Sequence, residues 1–477
     1  MRNGKISKRA EEEEGNKASF VFLSENTQNI KRQFACIIQL TQKRTVLTMN
    51  SRSPLIATAA TALAAVAIIC LPKLSSSSNS KTPPCPSSTY LMIADIGGTN
   101  SRLGLYKPGF TTATFEKEYL NSRFITDPTK TFEKQIFIPF LKESGIDFSN
   151  KTIVACYAVA GPVKDNCCYM TNLIKNEIIL LDGNIIEACN DGDLARIKKC
   201  KIINDFVGQG YGLLDLDLDT EVVELIPGSK DRMSNTGPKA CLGAGTGLGE
   251  CYLTTTSLHP EEGYECYASE GGHVDFTPRS DLEVALRKYV KEKYHQANRV
   301  SVERVVSGRG LANVYEFLAN TFPEKKTKVI HDEFENANDM QGRVVGENAN
   351  AKQNPCKLCV QAMEIMVSAY GAEAGNCAVK FIPTGGLYVS GGLTPKNIDF
   401  IKGEDSPFMK AYEDKGRLSD LVKSIPLFAV LVEDIGLRGA RVCAMRVSVS
   451  CLCLLPAHVA SDLLLCCCCC CCFLFQY

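Results

Sequence analysis

The sequence predicts an α/β protein of two domains, each headed by a strand, a tight glycine turn and a second strand. The first such hairpin spans Leu91–Tyr106 and the second spans Ala240–Leu253. Apolar runs of strand length alternate with amphipathic segments of helix length through the rest of the middle region, which is typical of layered α/β folds. The chain has 477 residues and is 45% hydrophobic, which is enough for two cores of ordinary domain size.

The two hairpins carry the strongest functional signal. Their turns read IGGTNS and GAGTGLG. Glycine lets backbone N–H groups approach a phosphate because no Cβ stands in the way, and Thr and Asn add short polar side chains. Two such turns at wide separation indicate a duplicated phosphate clamp on one nucleotide. The second turn is followed by the strand-like run Cys251–Thr254 and not by a helix, which disfavours a dinucleotide-dependent dehydrogenase.

The elements between the hairpins support a layered architecture. We expect buried strands at 151–161, 200–206 and 385–392, and helices at 282–294 and 360–381. Together with the duplicated hairpin, this order indicates an actin-like (ribonuclease H-like) ATPase fold with a cleft between a small and a large domain. The expected division is an N-terminal extension at 1–88, a small domain at 89–207 plus 425–446, a large domain at 208–424 and a Cys-rich tail at 447–477.

Both ends of the chain differ from the middle. Residues 54–71 are apolar and uncharged, flanked by Arg52 and Lys73, and are followed by a Ser/Pro-rich linker. We interpret them as a membrane anchor or a targeting segment, with an Ala-rich core helix as the alternative. From about Val447 the chain loses helical or strand periodicity, and the tail contains seven consecutive cysteines, Cys466–Cys472, so we assign it no function.

Charge and cysteine content exclude several classes of protein. Lys+Arg and Asp+Glu both number 53, and no basic stripe stands out, so we expect no nucleic-acid partner. The 24 cysteines lack the spacing of a disulfide framework and suit a reducing compartment. Cys356 and Cys359 form a CxxC pair, which we interpret as a helix turn with two small side chains and not as a zinc site.

Three polar clusters lie at strand ends or in turns, where functional sites are common. Asp205 follows a buried strand and could accept a hydroxyl proton, although Asn204 and Asp205 also suit an Asx turn or a helix N-cap. Glu270 and His273 offer an acceptor and a donor for the hydroxyls of a sugar, with an ordinary loop histidine as the alternative. Glu303 is either another sugar ligand or a helix-start glutamate that interacts favourably with the helix dipole.

These segments together resemble the bacterial-type glucokinase family of the hexokinase, actin-like superfamily. The matching motifs run in family order over about 90–445. They are ADIGGTNSRLGLY (94–106), MTN (170–172), IINDF (202–206), LGAGTGLG (242–249), EGGHVDFTP (270–278), SVERVVSGRGL (301–311), GGLYVSGGLTP (385–395) and FMKAYEDKGRLSDLVKSIP (408–426).

The resemblance implies ATP-dependent phosphorylation of D-glucose at the 6-hydroxyl, the first step of glycolysis, with ATP and Mg²⁺ as cofactors. Asp205 is then the catalytic base, and the sugar-binding residues are Asn172, Asn204, Glu270, His273 and Glu303. The residues that face ATP are Asp95, Gly97, Gly98, Thr99, Asn100, Gly245, Thr246, Gly247, Ser307, Gly308, Gly310, Gly391 and Gly392. Among these, Asp95 is expected to steer the Mg²⁺, through water. Gly391 and Gly392, with Ser307 to Gly310, are expected to line the adenosine side.

The sequence leaves other functions open and allows an expectation for partners and localisation. A kinase for another hexose and a non-catalytic sugar-binding sensor both remain open, as do phosphate donors other than ATP. Glucose and ATP are the expected partners, and a homodimer is common among the resembling enzymes. We expect a cytoplasmic kinase domain that segment 54–71 either anchors to a membrane or directs to an organelle.

Overall fold

The computed structural model describes residues 89–98, 100–125, 127, 130–170, 178–190, 192–255 and 263–453. Its strands are, in chain order, β1 (Thr89–Ile96), β2 (Asn100–Tyr106), β3 (Phe115–Leu120), β4 (Thr152–Val159), β5 (Val163–Lys164), β6 (Cys167–Met170), β7 (Ile179–Asp182), β8 (Ile197–Asn204), β9 (Val222–Glu224), β10 (Lys239–Ala244), β11 (Leu248–Thr255), β12 (Tyr264–Ser269), β13 (Leu387–Ser390) and β14 (Leu427–Val430). The strands predicted at 151–161, 200–206 and 385–392 are confirmed as β4, β8 and β13.

Two sheets dominate the described residues, and they share one arrangement. The first has the order β3-β2-β1-β4-β8 and the second the order β12-β11-β10-β13-β14-β9. In the first, β1 pairs antiparallel with β2 and parallel with β4. In the second, β10 pairs in the same way with β11 and β13. The duplication predicted from the two glycine turns is therefore present in the sheet topology.

Helices connect and cover these sheets. They are α1 (Asn121–Phe124), α2 (Ile138–Glu143), α3 (Gly183–Ala188), α4 (Asp205–Gly212), α5 (Ser229–Arg232), α6 (Asp281–Lys293), α7 (Gly308–Thr321), α8 (Lys328–Asn336), α9 (Gln341–Ala349), α10 (Lys357–Phe381), α11 (Leu393–Lys396), α12 (Ile398–Ile401), α13 (Pro407–Glu413), α14 (Ser419–Ser424) and α15 (Ile435–Cys453). The helices predicted at 282–294 and 360–381 are confirmed as α6 and α10. Cys356 and Cys359 are both buried at the start of α10.

A buried apolar cluster joins elements of the two sheets through α4 and α15. It includes Leu91 of β1, Leu253 of β11, Phe428 of β14 and Leu437 of α15. Burying a side chain of this size stabilises the fold by about 1.5–3 kcal/mol. Since α4 begins at Asp205, this packing fixes the candidate base between the two sheets.

The domain boundaries stay a prediction, and one observation bears on them. Segment 425–446 contributes to both sheets, because β14 pairs with β13 in the second sheet while α15 packs on β1 and β4 of the first.

Two predictions about the chain ends need correction. No helix in the described part of the chain is long and apolar enough to cross a membrane, so the localisation prediction is wrong for these residues, and segment 54–71 lies outside them. The predicted loss of helical periodicity from residue 447 is also wrong for residues 447–453. Helix α15 continues to Cys453 because Val447 and the residues before it still pack on the core between the sheets.

Candidate active site

The first glycine turn joins β1 to β2 and is closed by its own backbone. The N–H of Gly97 donates to the carbonyl of Asn100 at 2.9 Å. The buried Asn121 braces the turn: its Nδ2 donates to the carbonyl of Gly97 at 2.7 Å, and its Oδ1 accepts from the hydroxyl of Ser101 at 2.7 Å. No pattern in the sequence marks Asn121 for this role. The Gly97 N–H is therefore used within the turn.

Thr99, predicted to face ATP, lies outside the described residues. The side chain of Asn100 is exposed, and its Nδ2 donates to Glu118 Oε1 at 2.7 Å. Asp95 stands at the end of β1, where burial raises its pKa to about 6 although the nearby Arg102 opposes the shift. Nη2 of Arg102 is 3.5 Å from Oε2 of Glu118, so its guanidinium interacts with the carboxylates of both Asp95 and Glu118.

The second glycine turn joins β10 to β11 and is held by two other segments. The N–H of Gly245 closes the turn on the carbonyl of Gly247 at 2.8 Å, and the carbonyl of Gly245 accepts from the N–H of Gly308 at 2.8 Å. The N–H of Leu248 donates to Oε2 of Glu303 at 3.1 Å. Glu303 therefore does more than start a helix, because its carboxylate lies on the second turn.

An aromatic ring explains two further glycines of the second hairpin. Gly243 and Gly249 are paired across β10 and β11. A side chain at Gly249 would overlap the ring of Phe206, and one at Gly243 would come within 3.0 Å of it. These glycines thus provide a flat surface for the residue that follows Asp205. The sequence marked them only as part of a phosphate-binding pattern.

Asn204 and Asp205 form the N-terminus of α4, so the N-cap alternative is confirmed for Asn204. Its Oδ1 accepts from the N–H groups of Phe206 at 2.9 Å and Val207 at 3.3 Å, and its Nδ2 donates to the carbonyl of Gly161 at 3.1 Å. The cap fixes the backbone at Asp205. One amide hydrogen of Asn204 remains for a ligand.

The carboxyl of Asp205 has the electrostatics of a base. Burial, with smaller contributions from the negative charges of Asp95 and Glu270, raises its pKa to about 7, and the hydrogen bond from the Phe206 N–H opposes the shift. A pKa near neutrality gives a carboxylate that can accept a proton at physiological pH. Asp95 and Glu270, from opposite sheets, are therefore close enough to Asp205 to affect its ionisation.

Glu270 and His273 lie on a short turn after β12. Glu270 Oε2 is 3.8 Å from His273 Nε2, and the two side chains are 62% and 54% exposed. They are thus accessible to a ligand. The turn packs against the second hairpin, since a side chain at Gly272 would overlap the carbonyl of Leu248.

Beneath this turn lies Glu250, a residue that sequence reasoning missed. It is 2% exposed, and a side chain at Gly271 would overlap its carboxyl. Burial and the nearby Glu373 raise the pKa of Glu250 to about 7. The buried carboxyl supports the backbone of the turn from inside the large sheet. A charged residue in a strand gives no pattern that distinguishes this position from an exposed one.

The residues predicted for the adenosine side have structural roles that are visible here. Ser307 is fully buried and caps α7, accepting from the N–H of Gly310 at 2.8 Å. Gly391 has φ of +83°, and a side chain there would come within 2.5 Å of the carbonyl of Ala244. Gly392 follows it at the start of α11. Both segments therefore meet the end of β10 beside the second turn.

The described residues thus bring most of the predicted site together. Glu270 acts electrostatically on Asp205, Glu303 contacts the second turn, and Gly308 and Gly391 meet the same hairpin end. Asn172 lies outside the described residues. The arrangement offers a carboxylate base, exposed donors and acceptors, and two glycine turns.

Comparison with known proteins gives one consistent family. A family model described as glucokinase matches residues 92–447. A glucokinase of Synechocystis sp. is 39% identical over 370 residues, which cover 74% of this chain and 97% of that protein. A glucokinase of Neisseria meningitidis is 30% identical over 369 residues, which cover 76% of this chain and 96% of that protein.

Solved structures agree on the fold. The crystal structure of a glucokinase from Balamuthia mandrillaris in complex with glucose aligns with a TM-score of 0.60 at 22% identity, covering 76% of this chain and 96% of that one. A glucokinase from an Antarctic psychrotroph aligns with a TM-score of 0.55 at 23% identity, covering 75% of this chain and 99% of that one. These likenesses confirm the predicted fold class, the actin-like α/β architecture.

Proposed function

The chain belongs to the glucokinase family, and we propose that it transfers the γ-phosphoryl group of ATP to the 6-hydroxyl of D-glucose with Asp205 as the general base. The observation that carries the base assignment is the position of Asp205. It lies at the capped start of α4, between the two sheets, with its pKa raised to about 7.

In this mechanism Asp205 accepts the proton of the 6-hydroxyl as that oxygen attacks the γ-phosphorus and the bond to the β-phosphate oxygen breaks. Phosphoryl transfer depends mainly on positioning and charge neutralisation. Glu270, His273, Glu303 and the remaining amide hydrogen of Asn204 hold the other hydroxyls of the sugar. A wrong sugar isomer would leave such groups unpaired, which is how a polar site discriminates.

The ATP phosphates are assigned to the tips of the two glycine turns. In the first turn these are Gly98, Thr99 and Asn100, and in the second they are Thr246 and Gly247. Gly97 and Gly245 shape the turns, because their own N–H groups close them. The segments around Gly308 and Gly391 approach the second turn from the side assigned to adenosine.

The donor set also suits Mg²⁺. Asp95 and Asp205 are carboxylates whose pKa values are both raised by burial, and among the described residues the shared Arg102 offsets part of the charge of Asp95. Mg²⁺ prefers oxygen ligands and keeps several waters. Asp95 would hold the ion, directly or through water, and the ion when bound would neutralise the phosphates. We also propose the two-domain division with closure over the sugar, which would exclude water; the homodimer stays a prediction.

The test is Asp205→Asn in the full chain, assayed with glucose and Mg-ATP. We expect kcat to fall by roughly 10²–10⁴-fold while glucose binding, measured by calorimetry, changes little. Asp219→Asn is the matched control, since that carboxylate is 86% exposed and pairs only with Lys230 among the described residues. Substantial turnover by Asp205→Asn would remove the base assignment. A wild-type chain that binds glucose but never turns over would refute the kinase activity itself.

A further inference from the structure

A cavity of about 150 Å³ lies beside the sugar-binding turn, on the side of His273 that faces the loop after α6. Its polar and aromatic lining consists of His273, Tyr294, Gln296, Arg299, Ser301 and Arg304. Two guanidinium groups, an imidazole, a hydroxyl and an amide thus face one small space. Five of these residues have no role in the proposed phosphoryl transfer: Tyr294, Gln296, Arg299, Ser301 and Arg304.

Arg304 is held in place but has unused donors. Its guanidinium carbon lies 3.9 Å from the centre of the Tyr294 ring. The buried Asn313 fixes both residues, because its Nδ2 donates to the carbonyl of Arg304 at 2.9 Å and its Oδ1 accepts from the hydroxyl of Tyr294 at 3.1 Å. Among the described residues, we find no carboxylate and no hydrogen-bond acceptor for the guanidinium of Arg304. Its five N–H donors are therefore available to a ligand.

Arg299 adds a second cation at the rim. Its Nη1 donates to the carbonyl of His273 at 2.5 Å and lies 3.7 Å from Asp275 Oδ1. Asp275 offsets part of that charge, and its 70% exposure weakens the pair further. The cavity therefore keeps a net attraction for anions. Planar guanidinium groups match the oxygens of phosphate in a bidentate geometry.

We propose that this cavity, which shares His273 with the sugar-binding turn, binds the phosphate group of a small anionic ligand beside the catalytic cleft. A water needs roughly 10–15 Å³ of such space, so the cavity is large enough for a phosphate group with its oxygens. It is too small for a whole drug-sized molecule, because such sites typically measure about 300 Å³ or more. The ligand is therefore inorganic phosphate or a phosphate monoester whose remainder projects outward. Ser301 and Gln296 add neutral donors for its oxygens.

The cavity is linked to the sugar-binding turn by backbone contacts. Arg299 holds the carbonyl of His273, and the N–H of Val302 donates to the carbonyl of Val274 at 2.9 Å. An anion that engages Arg299 competes with the His273 carbonyl for the same N–H groups. Occupancy is therefore expected to raise the KM for glucose with little effect on kcat. This coupling rests on the proposed function, whereas the binding itself does not.

The test is calorimetric titration of the full chain with inorganic phosphate and, separately, with glucose 6-phosphate. Saturating glucose and a non-hydrolysable ATP analogue with Mg²⁺ keep the cleft occupied. We expect binding that Arg304→Gln weakens at least tenfold and that Ser301→Asp also weakens, by placing a carboxylate in the cavity. Arg417→Gln is the control, because this exposed arginine lies outside the cavity.

Each outcome discriminates. Tighter binding of glucose 6-phosphate than of inorganic phosphate identifies a sugar phosphate as the ligand, and equal binding identifies free phosphate. Absence of millimolar binding, or binding that Arg304→Gln and Ser301→Asp leave unchanged, overturns the proposal. If Arg304→Gln and Ser301→Asp weaken phosphate binding but the wild-type chain shows no turnover, the kinase assignment is refuted and the anion site is still supported.

Discussion

The two glycine hairpins are alike in sequence and topology but are supported in different ways. The first is braced by one polar side chain, Asn121, which binds Gly97 and Ser101. The second is supported by the ring of Phe206 against Gly243 and Gly249, and by a carboxylate on the backbone of its turn.

The difference matters because of what each support is attached to. Phe206 is the neighbour of Asp205, so the second hairpin and the candidate base are fixed by one contact. Asn121 begins α1, and among the described residues its side-chain hydrogen bonds go to Gly97 and Ser101 of the first hairpin. We therefore expect damage to the second hairpin to reach the base, and damage to the first to be confined to ATP binding.

The largest expected effect comes from placing a side chain at Gly249, where the ring of Phe206 packs on the backbone. Gly249→Val should lower the free energy of unfolding by about 3 kcal/mol, because the new side chain overlaps the ring, and should lower kcat as Asp205 is displaced. Denaturant unfolding and steady-state kinetics measure both quantities. Gly245→Ala is the control for stability, since a Cβ there meets nothing within 4 Å. Wild-type stability in Gly249→Val would contradict the packing role.

The next effect comes from removing the brace of the first hairpin. Asn121→Ala leaves the buried hydroxyl of Ser101 without its acceptor, which costs about 2 kcal/mol of stability. The KM for ATP should rise while the KM for glucose stays close to that of the wild type. The double variant Ser101→Ala/Asn121→Ala should lose less than the sum of the single losses. Strict additivity would mean that the hydrogen bond is not the cause.

A smaller effect is expected from the carboxylate that contacts the second turn. Glu303→Gln keeps an acceptor for the Leu248 N–H but removes its charge, so the loss of stability should be about 1 kcal/mol. The KM for glucose should rise because Glu303 is also a proposed sugar ligand. Glu324→Gln, at an exposed position, should change neither quantity. A Glu303→Gln enzyme with unchanged stability and KM would separate Glu303 from the site.

Much of this fold was predictable because its signals are local. Glycine turns between apolar runs located both hairpins, and a buried strand ending in Asn204 placed Asp205 correctly. The roles of Asn121, Phe206 and Glu250 were not predictable, because each depends on a partner far away in the sequence. Phe206 packs on glycines of another sheet, and Glu250 is buried beneath a turn whose sequence gives no indication of it.

The pH dependence of kcat/KM for glucose in the wild-type chain tests the role of Asp205 most directly, because this ratio reports the ionisation of the free enzyme. The carboxylate form is the base, and its pKa is raised to about 7 in the fold. Protonation below that pH removes the acceptor, so kcat/KM should be half-maximal near pH 7 and fall roughly tenfold for each pH unit below it. Asp95, with a pKa of about 6, should steepen the fall at lower pH. A kcat/KM that stays constant down to pH 5 would contradict the account.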